Sequence, residues 1–266
     1  MIRPLGYGDV PAAFALSCAA GWNQTTEDWQ RLLRLAPETC LGFEREGRLA
    51  ATATLLCHGR DLAWIGMVLT HPDDRRQGLA SALVGRLLEI ATHRGIPTVK
   101  LDATDQGRPI YARLGFTNEQ PVERWRREPA PLPCPASAPA PVSGTPDFRL
   151  DREAFGADRS VFLHALGNAW RLDGAYALER AGSLARHLGP CIARNPARAA
   201  ALIRALVSAR SDEPWFLDIF PGQPPAAEIA ESLGFAPVRY LMRMRYGAPL
   251  LSRDDLVFAM GGFEAG

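Results

Sequence analysis

Lysine is almost missing from this 266-residue chain: Lys100 is the only one, and arginine supplies the rest of the 30 basic residues. Against 29 acidic residues the net charge is +1, so no broad field draws the chain to nucleic acid or to an anionic membrane. The arginine excess reads as GC-rich codon usage rather than as RNA binding. The sequence has no run of 18 apolar residues to cross a bilayer and no leader-like opening segment. Its five cysteines (Cys18, Cys40, Cys57, Cys134 and Cys191) form neither a CxxC pair nor a zinc-spaced cluster with histidine. No metal is therefore expected, and a reducing cytoplasm is the default setting. The cysteines read as buried small hydrophobes, with Cys134 an exposed thiol. Both the GxxxxGK(S/T) phosphate loop and the GxGxxG dinucleotide fingerprint are absent.

What is present is the composition of a folded protein, 47% hydrophobic and 22% charged, long enough for one large domain or two ordinary ones. The sharpest boundary is "PAPLPCPASAPAPVSGTP", with seven prolines and no charge. Such a segment resists helix and ladder pairing and acts as an extended spacer. The expected organisation is a domain over 1–128, a linker over 129–146 and a second domain over 147–266.

The first half reads as a short strand, two helices, a hairpin around "REGR", an apolar strand "LAWIGMVLT", a long amphipathic helix, strand "TVKLDA", helix "RPIYARL" and strand "VERWRR". Thr25 or Thr26 caps the second helix, and Gly115 stops the last one. The second half repeats the later part of this order. "YARLGFTNEQPVERWRR" and "AESLGFAPVRYLMRMRY" share a helix, Leu-Gly-Phe and an arginine-rich strand, and "VKLDAT" matches "WFLDIF". Two copies of one α/β (α+β) fold follow, each a twisted mixed sheet flanked by helices. The distance from Gly66 to Leu101 is 35 residues, but from Gly189 to Leu217 it is 28. The second copy therefore lacks a loop that the first one has.

That loop is "HPDDRRQGLASALV", residues 71–84, where an apolar strand gives way to a helix. The first amides of a helix have no internal partner and the helix dipole adds positive charge there. Gly78 admits an anion close to the backbone, while Arg75 and Arg76 add charge. Asn195-Pro196 stands in the second copy where this loop would be and reads as a plain N-cap and first helical residue. A bland alternative makes 71–84 an exposed turn in which Asp73 and Asp74 pair with the two arginines.

"RRQGLA" matches the Arg/Gln-x-x-Gly-x-Gly/Ala signature of the GNAT superfamily of N-acetyltransferases, and "IYARLGF", about thirty residues on, resembles that family's second motif. The resemblance implies acetyl-CoA as co-substrate and direct transfer to a primary amine, of a small molecule or a peptide. It implies that Met67, Val68 and Leu69 offer backbone groups to the thioester carbonyl and the pantetheine arm. Arg75, Arg76, Gln77, Gly78, Leu79, Ala80 and Ser81 would cradle the pyrophosphate. Thr104 stands where many members carry an asparagine for the pantetheine, and Tyr111 where a tyrosine protonates the departing thiolate. Trp22, Asn23 and Gln24 fall in the acceptor-side loop. The family's strand glutamate has no counterpart among Trp64, Ile65 and Gly66, which leaves a water-mediated route or Asp102 to take the amine proton.

"GWNQTTEDW", "LDATDQGRPIYARLGF" and "LDREAFGADRS" together resemble a bacterial subgroup of tandem proteins, the YitH-like proteins, with a divergent second GNAT-like domain. In "DREAFGADRS", Asp158 and Arg159 either reach the acceptor cleft or belong to a capped helix entry with a local ion pair. A rival to the enzyme is a non-catalytic acyl-CoA-binding or regulatory module. No nucleic-acid or membrane partner is expected, and a homodimer is left open.

Overall fold

The computed structural model describes residues 1–135 and 139–266; positions 136–138 of the expected linker lie outside the described residues. The first half runs β1 (Ile2–Pro4), α1 (Val10–Ala19), α2 (Thr26–Leu35), β2 (Cys40–Arg45), β3 (Arg48–His58), β4 (Leu62–Thr70), α3 (Leu79–His93), β5 (Thr98–Ala103), α4 (Arg108–Arg113) and β6 (Thr117–Arg127). The second runs β7 (Val142–Gly144), α5 (Phe148–Phe155), α6 (Ser160–Leu166), β8 (Ala169–Leu172), β9 (Ala175–Arg180), β10 (Arg186–Ala193), α7 (Pro196–Ala209), β11 (Trp215–Ile219), α8 (Pro224–Ser232), β12 (Ala236–Gly247) and β13 (Val257–Ala259). The repeat is plain in this order: β4-α3-β5-α4-β6 answers to β10-α7-β11-α8-β12.

Local chemistry accounts for the boundaries. Thr25 accepts from the Asp28 amide while the Asp28 carboxylate accepts from Thr25, a reciprocal cap on α2. Glu46 and Gly47 both take positive φ in the β2–β3 turn, the backbone a tight hairpin needs. Gly115 (φ 93°) ends α4. One expectation fails at the linker. Val142–Gly144, the proline-free stretch between Pro141 and Pro146, pairs with β8 as the sheet's edge strand β7. Prolines are tolerated beside such a strand because its outer donors need no partner.

The two sheets merge into one of 13 strands in the order β1-β2-β3-β4-β5-β12-β6-β11-β10-β9-β8-β7, with β13 on β10. At its centre the halves exchange strands. β12 of the second half lies between β5 and β6, and β6 of the first half lies between β12 and β11. Each half thus completes its sheet with the other's last long strand.

Packing follows the exchange. α3 and α4 cover one face of the first half around Leu83, Leu87 and Phe116. α7 and α8 do the same for the second half around Leu202, Ile203 and Trp215. The remaining faces share one core, in which Trp29 and Leu32 of α2 meet Leu163 of α6 and Tyr176 of β9. Cys40 and Cys191 are buried as expected, but Cys18 is exposed on α1, like Cys134. Among the described residues no helix is long and apolar enough to cross a membrane.

Candidate active site

The site begins with a fault in β4. Its ladder to β3 runs Leu62 to Gly66, slips, and resumes at Leu69, leaving Met67 and Val68 opposite Ala53 alone. Met67 sits at φ 52°, a costly conformation for a long side chain and one that gathers at functional sites. Thr52 supports the bulge by donating its hydroxyl to the Met67 carbonyl at 2.8 Å. On the other edge, β4 and β5 run parallel only from Leu62 to Trp64 and then part. Backbone groups beyond Trp64 face a gap, and buried backbone groups need partners.

The second half shows the same gap filled. β10 and β11 are parallel only from Arg186 to Leu188, and the β10 ladder to β9 slips after Leu188. Here the chain's own β13 enters the opening: Cys191 and Ile192 pair with Ala259 and Val257, and the Met260 amide donates to the Asp218 carbonyl at 2.8 Å. A Cβ on Gly189 would stand 1.8 Å from the Met260 carbonyl oxygen, so the fit leaves no room for a second occupant. In the first half the slot is narrow, about 80 Å³, and open; Ile65, Gly66, Met67, Val68, Leu101, Thr104 and Tyr111 line it, with Trp22 and Gln24 from the α1–α2 loop.

Helix entry differs in the same sense. β10 ends at Ala193 and α7 begins at Pro196, with the Asn195 side chain accepting from the Arg198 amide at 3.0 Å. Eight residues separate β4 from α3 in the first half. Arg76 (φ 63°) and Gly78 (φ 79°) are both left-handed there, and Gly78 gives α3 no side-chain cap. Its first amides stay open. They face a cleft of about 1000 Å³ lined by Asp74 to Arg76, Gly78 to Ser81, Gln106, Ile110 and Arg113. The bland pairing of Asp73 and Asp74 with the arginines is not what forms. Asp74 is buried and paired with Arg48 at 2.6 Å and with Arg45 at 3.4 Å. Arg75 and Arg76 are exposed and make no ion pair among the described residues.

Tyr111 of α4 lines the slot, while its neighbour Ile110 lines the cleft. The Tyr111 ring lies over Gly107, where a Cβ would come within 2.9 Å of it. Burial pushes the phenol up to about 12, so it is a protonated donor at neutral pH. Thr104 accepts from the Gly107 amide at 3.2 Å, which ties its hydroxyl to the entry of α4 while its O–H can still donate.

Several expected residues are placed otherwise. Gln77 hydrogen-bonds Arg45 away from the cleft wall, and Leu69 is buried beyond the slot. Asn23 does not face the slot: its side chain receives the Leu184 and Ala185 amides and donates to the Ala185 carbonyl, tying the halves together. Asp102 reaches the slot wall, but both its oxygens are held at 2.9 Å by Arg243. A carboxylate with both oxygens so engaged must give up that pairing before it can take a proton from an amine. Arg159 does not reach the acceptor side either. It is buried against Asp151, 2.8 Å away, and the Gly266 carbonyl, while Asp158 caps Ser160. The local ion pair is what forms, because two charges buried together satisfy one another.

Sequence reasoning missed Arg124, Arg239, Leu241 and Phe263, which complete the slot. The only signal was the arginine-rich strand repeated in both halves. Arg124 donates twice to Asp218 at 2.7 Å, and Asp218 also receives His187 at 3.0 Å. The tail runs on from β13 to the floor of the slot: Trp64 donates to the Phe263 carbonyl at 3.0 Å, and Gln24 to the Glu264 carboxylate at 2.9 Å.

Comparison with known proteins finds one family in both halves. A model of the acetyltransferase (GNAT) family matches residues 13–116, and a model of an acetyltransferase (GNAT) domain matches 148–259. A glucosamine 6-phosphate N-acetyltransferase of Trypanosoma brucei brucei is 34% identical over 76 residues, 26% of this chain; the match spans about half of that relative, 52%. In fold, the chain is similar over its whole length to a putative acetyltransferase of Pyrococcus horikoshii, with TM-score 0.89 at 21% identity and 95% of that chain covered. A tandem GNAT protein from the clavulanic acid biosynthesis pathway aligns over 94% of this chain and 99% of its own, with TM-score 0.66 at 17% identity.

Proposed function

The chain belongs to the GNAT superfamily of acetyltransferases and carries two tandem domains of it, and from that premise we propose that residues 1–128 bind acetyl-CoA and transfer its acetyl group directly to a primary amine, while 147–266 shape the acceptor side. The observation that carries the reading is the contrast between the halves. One parallel gap is open and its helix uncapped; the other is filled by β13 and its helix is capped by Asn195.

Acetyl-CoA, when bound, supplies an activated thioester and a pyrophosphate. The open amides of α3, with Arg75 and Arg76, suit the pyrophosphate's charge. Backbone amides freed at the Met67–Val68 bulge suit a carbonyl oxygen gaining negative charge. Tyr111 holds a proton at its hydroxyl for a departing thiolate. Trp22 and Gln24 border the acceptor side. Among the described residues the one carboxylate lining the slot, Asp102, is held by Arg243, and Glu264 in the adjoining tail is held by Arg180 and Gln24. The amine therefore arrives neutral or loses its proton through water.

The same observation favours one rival, an acyl-CoA-binding module without turnover. Thiol release from acetyl-CoA across a panel of amines, including amino-sugar phosphates and amino acids, decides between them. Release with at least one amine supports transfer; tight acetyl-CoA binding with no release from any amine supports the rival.

A further inference from the structure

The charges around the acceptor side of the slot do not balance. Arg124 is neutralised by Asp218, and both side chains are buried. Arg180 is neutralised by Glu264, and Arg243 by Asp102. Arg239 is left over. It lines the slot, and it forms neither an ion pair nor a side-chain hydrogen bond among the described residues. Its register partner on β6 is Arg124 itself, and like charges set opposite one another on a sheet repel. Burial first, and then the charge of Arg124, make Arg239 hold its proton less firmly than a free guanidinium. Its nearest stabilising contact is Trp22, whose ring centre lies 5.7 Å from the guanidinium carbon; Asp218, already paired with Arg124, adds only a smaller favourable pull.

A half-buried cation with no counterion is costly, and its persistence calls for a ligand that completes it. Besides Arg124, the other polar side chains lining the space are Tyr111, protonated at neutral pH, Thr104, Gln24, whose amide nitrogen is committed to Glu264, and Asp102, which is held by Arg243. No unpaired carboxylate stands there to attract a second positive group on the acceptor. Building on the acetyltransferase reading, we propose that the amine acceptor carries an anionic group, a carboxylate or a phosphate, that pairs with Arg239 while the ring of Trp22 packs on the intervening part. An arginine fork suits either anion and in both cases binds it through two parallel hydrogen bonds.

The test uses matched amines under acetyl-CoA saturation: γ-aminobutyrate against its amide, and O-phosphoethanolamine against ethanolamine. The anionic member is expected to show kcat/KM about 10- to 100-fold higher, the worth of a charge-assisted hydrogen bond. Whichever pair shows the preference identifies the anion. Arg239→Gln should abolish the preference chiefly through KM, and Arg239→Lys should retain part of it. Acetyl-CoA affinity and the thermal midpoint should be unchanged in both. Equal use of charged and neutral members by the wild type, or an undiminished preference in Arg239→Gln, overturns the proposal. If no amine is acetylated, the transfer reading fails by itself. The same four compounds are then titrated calorimetrically into the CoA-loaded protein: anion preference lost in Arg239→Gln supports the anion site, and no preference overturns it.

Discussion

Replacing Tyr111 by Phe removes one oxygen and leaves the ring where Gly107 makes room for it and Phe116 packs at 6.1 Å. The hydroxyl has no hydrogen-bond partner among the described residues and belongs to a side chain lining the slot. Its loss should therefore change stability by about 1 kcal/mol or less. The effect on turnover can be bounded. A positioned acid contributes about 10²- to 10⁴-fold, equal to about 2.7 to 5.4 kcal/mol. With the phenol near 12 and a thiol near about 8.5, complete proton transfer is uphill by about 3.5 units, or about 5 kcal/mol. On the proposed reading Tyr111 would then act by partial transfer as the carbon–sulfur bond breaks, which favours the lower end of the range. Tyr111→Phe should lower kcat by about 10²- to 10³-fold and change the acetyl-CoA dissociation constant by less than about twofold. Thiol release measures the first, and equilibrium titration with acetyl-CoA measures the second. Parallel loss in both would make Tyr111 a packing residue, and unchanged turnover would remove it from the chemistry.

Arg75→Glu with Arg76→Glu breaks no ion pair, so the fold should hold while acetyl-CoA affinity drops by about 100-fold or more, the loss of two charge-assisted contacts; unchanged affinity in a binding titration would refute the phosphate-loop role. Gly66→Ala puts a Cβ 2.4 Å from the Glu264 carbonyl oxygen and should cost about 1–3 kcal/mol of stability as the tail is pushed off β4, read from urea unfolding. His58 is held down to about 3, first by burial and then by Arg159. Its contribution to stability is thus complete above about pH 6.5 and fades as pH falls toward 3, at about 1.4 kcal/mol per unit. Unfolding curves at pH 7 and 5 should converge for His58→Gln relative to the wild type, and parallel behaviour would exclude that linkage. Because the halves exchange strands, residues 1–128 expressed alone should give no cooperative unfolding transition, whereas the whole chain should give one.

Local signals were readable from sequence because they act over a few residues. The Thr25 cap, the stop at Gly115, the Asn195 cap and the seven-residue shortfall between the copies all became structure. The exchange of β6 and β12 was not readable. Their arginine-rich patterns are alike, so each satisfies either neighbouring strand, and only the three-dimensional arrangement chooses. The acceptor side was hidden for a related reason. Asp218 and Arg124 are 94 residues apart, and Gln24 and Glu264 are 240 apart, separations that leave no periodicity to detect. Asn23 is a further case: Trp22 and Gln24 of the same loop line the slot, but which side chains of that loop do so depends on the second half, which holds Asn23.

The exchanged strands also bear on how a catalytic cycle could proceed. Walls of the acceptor slot come from both halves, and those halves are stitched together through the β5–β12, β12–β6 and β6–β11 ladders. Rotating one half away from the other, the usual way a two-domain enzyme opens, would tear several rows of backbone hydrogen bonds. Such a molecule has no hinge at its centre. On the proposed reading, entry of the acceptor and departure of the product would fall instead to parts outside the ladders: the Trp22–Gln24 loop and the stretch after β13 that carries Phe263 and Glu264. Turnover should then be governed by two short segments rather than by domain motion.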